Sequence, residues 1–165
     1  MPENRNSSET LPLLVIGTGI LVALYLTSFY SFVLFHVLVE FFSVVVSGAI
    51  FVIAWSSRRF AANGYLLVIG IAHLCVGGID LLHTIAYKGM GLFPGFDANL
   101  PTQLWIAGRY LQSASFLLAP FFIGRRLLSR TLLTAYLAVT SLLLAAIFAW
   151  QIFRSEEHTS ELQSH

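Results

Sequence analysis

Long apolar runs are the feature of this sequence that most restricts its fold. Five such runs, each close to 20 residues, occur in a chain of 165 residues. About 20 apolar residues are enough for a helix to cross the hydrocarbon core of a bilayer. Backbone groups in lipid have no water to bind, so such runs must form helices that satisfy their own hydrogen bonds. The chain is therefore predicted to be all-α, a polytopic transmembrane helix bundle of five spans.

The predicted spans are Leu11–Tyr30, Phe32–Trp55, Tyr65–Ile85, Thr102–Ile123 and Leu132–Phe153. Residues 1–10 are polar, and we expect them to form a disordered N-terminal segment. The first run is longer than the roughly 7–15 residues of a signal-peptide core, so it is interpreted as a permanent span. Only 10% of the residues are charged, against roughly 25% in soluble domains. The formal net charge of +1 gives no indication of nucleic-acid binding.

The six arginines that precede or connect the predicted spans fall on one side of the bundle: Arg5, Arg58, Arg59, Arg125, Arg126 and Arg130. The other side offers Lys88. Basic residues are enriched in cytoplasmic connections of membrane proteins. The N-terminus and the two arginine-containing connections are therefore predicted to be cytoplasmic, and residues 86–101 external.

The last twelve residues differ abruptly from the rest of the chain. Residues 154–165 are polar and carry three of the eight acidic residues. The string also resembles the translation of a common sequencing-adaptor oligonucleotide. Five spans that start in the cytoplasm would, in addition, leave Phe153 on the external side. We therefore expect residues 11–153 to be an incomplete membrane domain followed by a non-native tail, in which His158 and His165 have no function.

Ionisable residues within three of the predicted spans form the candidate site. His36 and Glu40 lie on the second span, Asp80 and His83 on the third, and Arg109 on the fourth. At about 1.5 Å rise per residue, all five lie roughly 3–12 Å below the external edge of the membrane. A charged group there costs at least about 2.5 kcal/mol, so each of these residues needs a partner or a cavity.

Two interpretations of this polar layer remain open. In the structural one, Arg109 pairs with Asp80 or Glu40, and the histidines complete a hydrogen-bond network that holds the helices together. In the functional one, the five residues line a ligand-binding pocket that opens to the outside. His36, Glu40, Asp80 and His83 also form a candidate metal-binding set of two nitrogens and two oxygens. Zinc, iron or manganese would suit these donors, and nothing selects among them.

Two features of the sequence predict how the helices pack. Small residues in the second and third spans permit close helix contacts: Ser43, Ser47, Gly48, Gly70, Gly77 and Gly78. Pro120 is expected to kink the fourth span near its cytoplasmic end. The single cysteine, Cys75, lies in an apolar run and is interpreted as a packing residue.

Several stretches resemble one known family, the third named type of bacterial membrane-associated sensor domain. They are Leu34–Phe42, Phe51–Arg59, Asp80–Thr84, Tyr87–Gly91, Leu100–Ala107 and Arg109-Tyr110. The resemblance is dense over residues 32–126. It implies an integral-membrane input domain that precedes a cytoplasmic histidine kinase or diguanylate cyclase, often with a PAS domain between. It supplies no ligand residues, so the candidate site depends on the polar layer alone.

We therefore expect a non-catalytic sensory input domain that passes an unknown small external or membrane-borne signal to an output module missing from this chain. A homodimer formed through the parent protein is compatible with this interpretation. Intramembrane acids, histidines and an arginine also fit a standalone transporter or a membrane-embedded metal-binding protein. A transporter should show repeat-related broken helices, which the sequence does not clearly show. A third alternative is a purely structural subunit.

Overall fold

The fold of the chain was obtained as a computed structural model that describes residues 6–60, 63–87, 90 and 99–150. These residues form five α-helices: α1 (Asn6–Tyr30), α2 (Phe32–Ser57), α3 (Gly64–Ala86), α4 (Asn99–Leu118) and α5 (Ser129–Trp150). A 3-10 turn, Ala119–Phe122, follows α4. No strand occurs within the described ranges, so the predicted all-α fold is confirmed. The adaptor-like tail and most of the predicted external connection lie outside the described residues.

The helix ends differ from the predicted spans by a few residues. One difference of five residues is at the start of α1, because residues 6–10, predicted to be disordered, are helical. Each further residue added to an existing helix gains a hydrogen bond without a new nucleation cost, so an apolar helix extends into its polar flank. The fourth span also differs, since α4 ends at Leu118 and the predicted kink at Pro120 is a 3-10 turn instead. Proline lacks the N–H that a continuing helix would need.

The chain divides into two compact units, Met1–Phe42 and Ser43–His165, and the boundary lies within α2. The described part of the first unit consists of α1 and the first turns of α2, joined at Ser31. The hydroxyl of Ser31 accepts a hydrogen bond from the backbone N–H of Leu34 at 3.3 Å. This is the position at which a serine caps the start of a helix. Ser31 therefore marks where α1 ends and α2 begins.

Helix α3 is the centre of the second unit. More than half of its apolar stretch, 56%, is buried by protein, compared with 11% for α5. The core joins Cys75, Val76 and Ile79 of α3 to α4 and to Ile147 of α5. The α4 side of this core repeats every three or four residues, at Leu100, Leu104, Ala107 and Leu111. One face of α4 thus covers α3 along most of its length, as expected for an amphipathic helix. Cys75 is a buried free cysteine, as its interpretation as a packing residue requires.

Small residues bring the last turns of α2 against α3 at two points. A Cβ built on Gly70 would lie 2.2 Å from the Cβ of Ala54, and one on Gly77 would lie 3.0 Å from the Cβ of Ser47. In contrast, a Cβ on Gly48 or Gly78 would meet nothing within 4 Å. Of the small residues predicted to permit close contacts between α2 and α3, the structure therefore uses Gly70, Gly77 and Ser47.

Among the described residues, four helices are long and apolar enough to cross a membrane, namely α1, α2, α3 and α5. Helix α4 has 20 residues, which is about 30 Å of helix and enough for a bilayer core. It is the most polar of the five because it carries Arg109 together with Gln103, Gln112 and two serines. The polar residues of α4 can be accommodated in a membrane because α3 and α5 cover much of its surface.

A hydrogen-bonded pair of hydroxyls joins α5 to α4. Tyr136 donates to the hydroxyl of Ser115 at 2.9 Å, and Ser115 donates to the backbone oxygen of Leu111 at 2.6 Å. The substitution Tyr136→Phe is expected to lower the free energy of unfolding by about 0.6 kcal/mol, the average for a hydrogen bond between membrane helices.

The measurement is unfolding in detergent micelles, followed by circular dichroism. Tyr110→Phe is the matched control, because Tyr110 lies on α4 with 68% of its surface uncovered by protein. Equal stability of the two variants would show that the bond from Tyr136 does not hold α5 in place.

Candidate functional site

A buried ion pair between α3 and α4 is the centre of the candidate site. Both carboxylate oxygens of Asp80 lie 2.6 Å from Nη2 of Arg109. Asp80 is placed there by helical periodicity, since it follows Ile79 on the face of α3 that α4 covers. Its side chain is 2% exposed, whereas 36% of the Arg109 side chain remains uncovered by protein. The predicted pairing of Arg109 with an acidic residue is thus observed with Asp80.

The guanidinium of Arg109 is held on a second side by its own helix. Nη1 donates to Oε1 of Gln112 at 2.8 Å, and residues three apart share one helix face. Nε is buried and has no hydrogen-bond partner among the described residues. Arg109 is therefore held by an acid from α3 and an amide from α4, and the N–H of Nε is one of the donors left over.

Gly108 lets the two helices approach each other at the ion pair. A Cβ at this position would lie 3.4 Å from Oδ1 of Asp80 and 3.4 Å from Cγ2 of Ile79. These distances are at the limit of ordinary van der Waals contact. A larger residue at position 108 would therefore press directly on the carboxylate that Arg109 binds.

His83 joins the end of α3 to the start of α4. Its Nδ1 lies 2.7 Å from the backbone oxygen of Pro101. A carbonyl oxygen can only accept a hydrogen bond, so Nδ1 of His83 carries the proton. The hydroxyl of the next residue, Thr84, donates to the backbone oxygen of Asp80 at 2.8 Å. His83 thus fixes the two helix ends one turn away from the ion pair.

Sequence reasoning missed one buried polar residue of α4, Gln103. Its side chain is buried, and Oε1 has no hydrogen-bond partner among the residues that the structure describes. Gln103 is uncharged, so a search based on charge does not find it. Its signal in the sequence is its position four residues before the core residue Ala107, which places an amide on the covered face of the helix.

His36 and Glu40 belong to the first unit and lie one turn apart on α2, both partly buried. The His36 ring stacks on Phe32, with ring centroids 6.1 Å apart. Of the five predicted site residues, the second unit thus brings together Asp80 and Arg109, with His83 one turn away. The predicted metal set stays a prediction. Both oxygens of Asp80 already accept from Arg109, so a cation at that carboxylate would have to share it with a positively charged guanidinium.

Comparison with known proteins gives the family. The chain matches the family model MASE3, described as a membrane-associated sensor domain, over residues 27–156. Neither a curated protein nor a solved structure matches the chain. The family match covers most of the sequence and includes the helices that carry Asp80 and Arg109. The chain therefore belongs to the family of membrane-associated sensor domains.

Proposed function

We propose that this chain is the sensory input domain of a larger bacterial signalling protein, and that the Asp80–Arg109 pair is its switching element. The observation that carries this proposal is an ion pair that joins α3, a helix long and apolar enough to cross a membrane, to its neighbour α4. Charged residues inside membrane segments are costly and are retained mainly where they serve a pathway, a relay or a ligand. Because the chain belongs to a family of sensor domains, we infer that the ion pair serves the reception of a signal.

The unequal burial of the two partners suggests how the switch works. Asp80 is enclosed, whereas the guanidinium of Arg109 is partly uncovered and has a donor at Nε without a partner in the described structure. A small anionic signal could bind the guanidinium in place of Asp80, and protonation of Asp80 would weaken the same pair. Either event favours a different packing of α3 against α4. A ligand shifts such an equilibrium by the difference in its affinity for the two packings.

The proposed output is a cytoplasmic histidine kinase or diguanylate cyclase in the intact protein. The sensor domain itself contributes no catalytic residue in this proposal. Its signal is a small molecule or a change in the membrane, received at the external side where Asp80 and Arg109 are expected to lie. A shift of α3 against α4 would reach the cytoplasm through α5, which is joined to α4 by Tyr136 and Ser115.

The test measures the activity of the output module in isolated membranes of cells that express the intact protein. Asp80→Asn and Arg109→Gln are each expected to change the output about fivefold or more, the lower limit of typical coupling between sites. Ser113→Ala is the control, because Ser113 is an exposed residue of α4 near the pair. Normal insertion of both site variants with the same output as the control would refute the proposed switch.

The proposed orientation places the N-terminus and the arginine-containing connections in the cytoplasm of a bacterium, below its inner membrane. It is supported by the basic residues of these connections. Alkaline phosphatase fused after Tyr87 should then be active, since the enzyme folds only outside the cytoplasm. The same enzyme fused after Arg59 or Arg126 should be inactive. The opposite pattern of activities would overturn this orientation.

A further inference from the structure

A small cavity lies at the arginine-rich end of the second unit, about 16 residues of α3 away from Asp80, or roughly 24 Å. It is formed where α2 ends, α3 begins and the 3-10 turn leads into α5, and its volume is about 100 Å³. A cavity needs only roughly 10–15 Å³ to hold one water molecule, so this one has room for a larger polar group. Its polar lining residues are Ser57, Arg58, Arg59, Asn63, Arg125 and Arg126.

Backbone contacts hold the two sides of this cavity together. The backbone N–H of Gly64, the first residue of α3, donates to the backbone oxygen of Arg125 at 2.8 Å. A Cβ on Gly64 would lie 2.9 Å from that oxygen and 3.0 Å from the side chain of Leu127. Asn63 accepts a hydrogen bond from the N–H of Tyr65 at 3.1 Å and so caps α3. The cavity is therefore a fixed part of the fold.

The cavity has no acidic residue to balance its arginines. Between Glu40 and Glu156 the sequence contains only two acids, Asp80 and Asp97. Asp80 is bound to Arg109, and none of the arginines that line the cavity forms a salt bridge with a residue that the structure describes. Arg58 instead donates to the backbone oxygen of Trp55, and its guanidinium lies 4.1 Å from the centre of the Trp55 ring. Four arginines thus line one cavity, and no acidic residue among those that the structure describes lines it with them.

The orientation of the protein in the membrane does not explain this arrangement. Arginines that only mark the cytoplasmic side need not converge, and Arg130, which lies on the same side, does not line the cavity.

We propose that the cavity binds a phosphate group through its arginines. The planar fork of a guanidinium matches two phosphate oxygens. The phosphate belongs either to the headgroup of an anionic phospholipid or to a soluble phosphate compound. This proposal is independent of the sensory role proposed for Asp80 and Arg109.

The ring of Trp55 serves as the reporter of binding. The chain contains three tryptophans, so the double substitution Trp105→Phe/Trp150→Phe leaves Trp55 as the only one. A phosphate that binds Arg58 should draw the guanidinium from the ring and change the fluorescence of Trp55. The full chain is placed in nanodiscs of neutral phosphatidylcholine and titrated with inorganic phosphate. In a second arm, the fraction of phosphatidylglycerol in the nanodiscs is raised without added phosphate.

The matched variants are Arg126→Gln, in the cavity, and Arg130→Gln, outside it. Arg126→Gln removes a charge-assisted hydrogen bond to the phosphate and should weaken binding about tenfold or more. Arg130→Gln removes a basic residue that only faces an anionic surface and should weaken binding about fivefold or less. Arg59→Gln, on the opposite side of the cavity, is the second cavity variant if Arg126→Gln fails to fold.

A saturable response to phosphatidylglycerol identifies a lipid headgroup as the source, and a response to inorganic phosphate identifies a soluble compound. Either response supports a phosphate-binding site in the cavity, provided that the cavity variants lose more affinity than Arg130→Gln. No response in either arm, or equal losses for Arg126→Gln and Arg130→Gln, would overturn the proposal and leave the arginines as markers of orientation alone.

Discussion

Arg109→Gln is expected to lower the free energy of unfolding of this chain by about 3 kcal/mol, because it leaves a buried carboxylate without its partner. Asp80 is 2% exposed and receives both of its short contacts from one nitrogen of Arg109. The estimate is at the lower end of the range for broken buried ion pairs, since 36% of the Arg109 side chain is uncovered by protein. Reversible unfolding in detergent micelles, monitored by circular dichroism, measures it.

A double variant separates the structural and the switching interpretations of the pair. Replacing a whole buried ion pair by apolar residues is often neutral or stabilising. Asp80→Leu/Arg109→Leu should therefore recover most of the stability that Arg109→Gln loses, while the output of the intact protein should no longer respond. Recovery of both stability and response would show that the pair only holds the helices together. Ser113→Ala, a surface change, should stay within about 0.5 kcal/mol of the unmodified chain.

Gly70→Ala is expected to destabilise the second unit by about 2 kcal/mol. The added methyl group would lie 2.2 Å from the Cβ of Ala54, a distance that two carbon atoms cannot adopt, so α2 and α3 must move apart. Overpacking of this kind costs about 1–3 kcal/mol, and it outweighs the gain of up to about 1 kcal/mol that alanine brings to a helix. The measurement is the same unfolding experiment in micelles.

Gly78→Ala is the matched control, on the same helix and eight residues away. A Cβ at position 78 would meet nothing within 4 Å, so only the gain in helix propensity remains. This variant should be neutral or more stable by up to about 1 kcal/mol. If Gly70→Ala behaved in the same way, the contact between α2 and α3 at Ala54 would be looser than the structure shows.

The fold class could be predicted from the sequence because membranes leave so few alternatives. Runs of apolar residues near 20 in length can satisfy their backbone in lipid only as helices. The ends of the helices were predicted less accurately, and α4 shows the reason. It carries Arg109 and Gln112 and relies on its neighbours for cover, so its apolar character alone defines its limits poorly.

The candidate site was predictable only as a set of possibilities. Charged residues in apolar spans must find partners, so Arg109 and the acids Asp80 and Glu40 could be identified from the sequence as candidates for pairing. The same rule could not choose between Asp80 and Glu40, and it gave no reason to consider the uncharged Gln103. Spacing along one helix fixes which residues share a face, but it says nothing about which face of another helix lies opposite.

The sequence by itself thus determined that the chain is an all-α membrane protein, which residues share each helix face, and which charges need partners. These follow from local periodicity and from the free energy of placing groups in lipid. Only the tertiary structure decided that Arg109 binds Asp80, that Gly70 but not Gly78 is a point of close contact, and that four arginines surround one cavity. Each of these depends on the rotation and crossing of neighbouring helices, which are set by the packing of many side chains together.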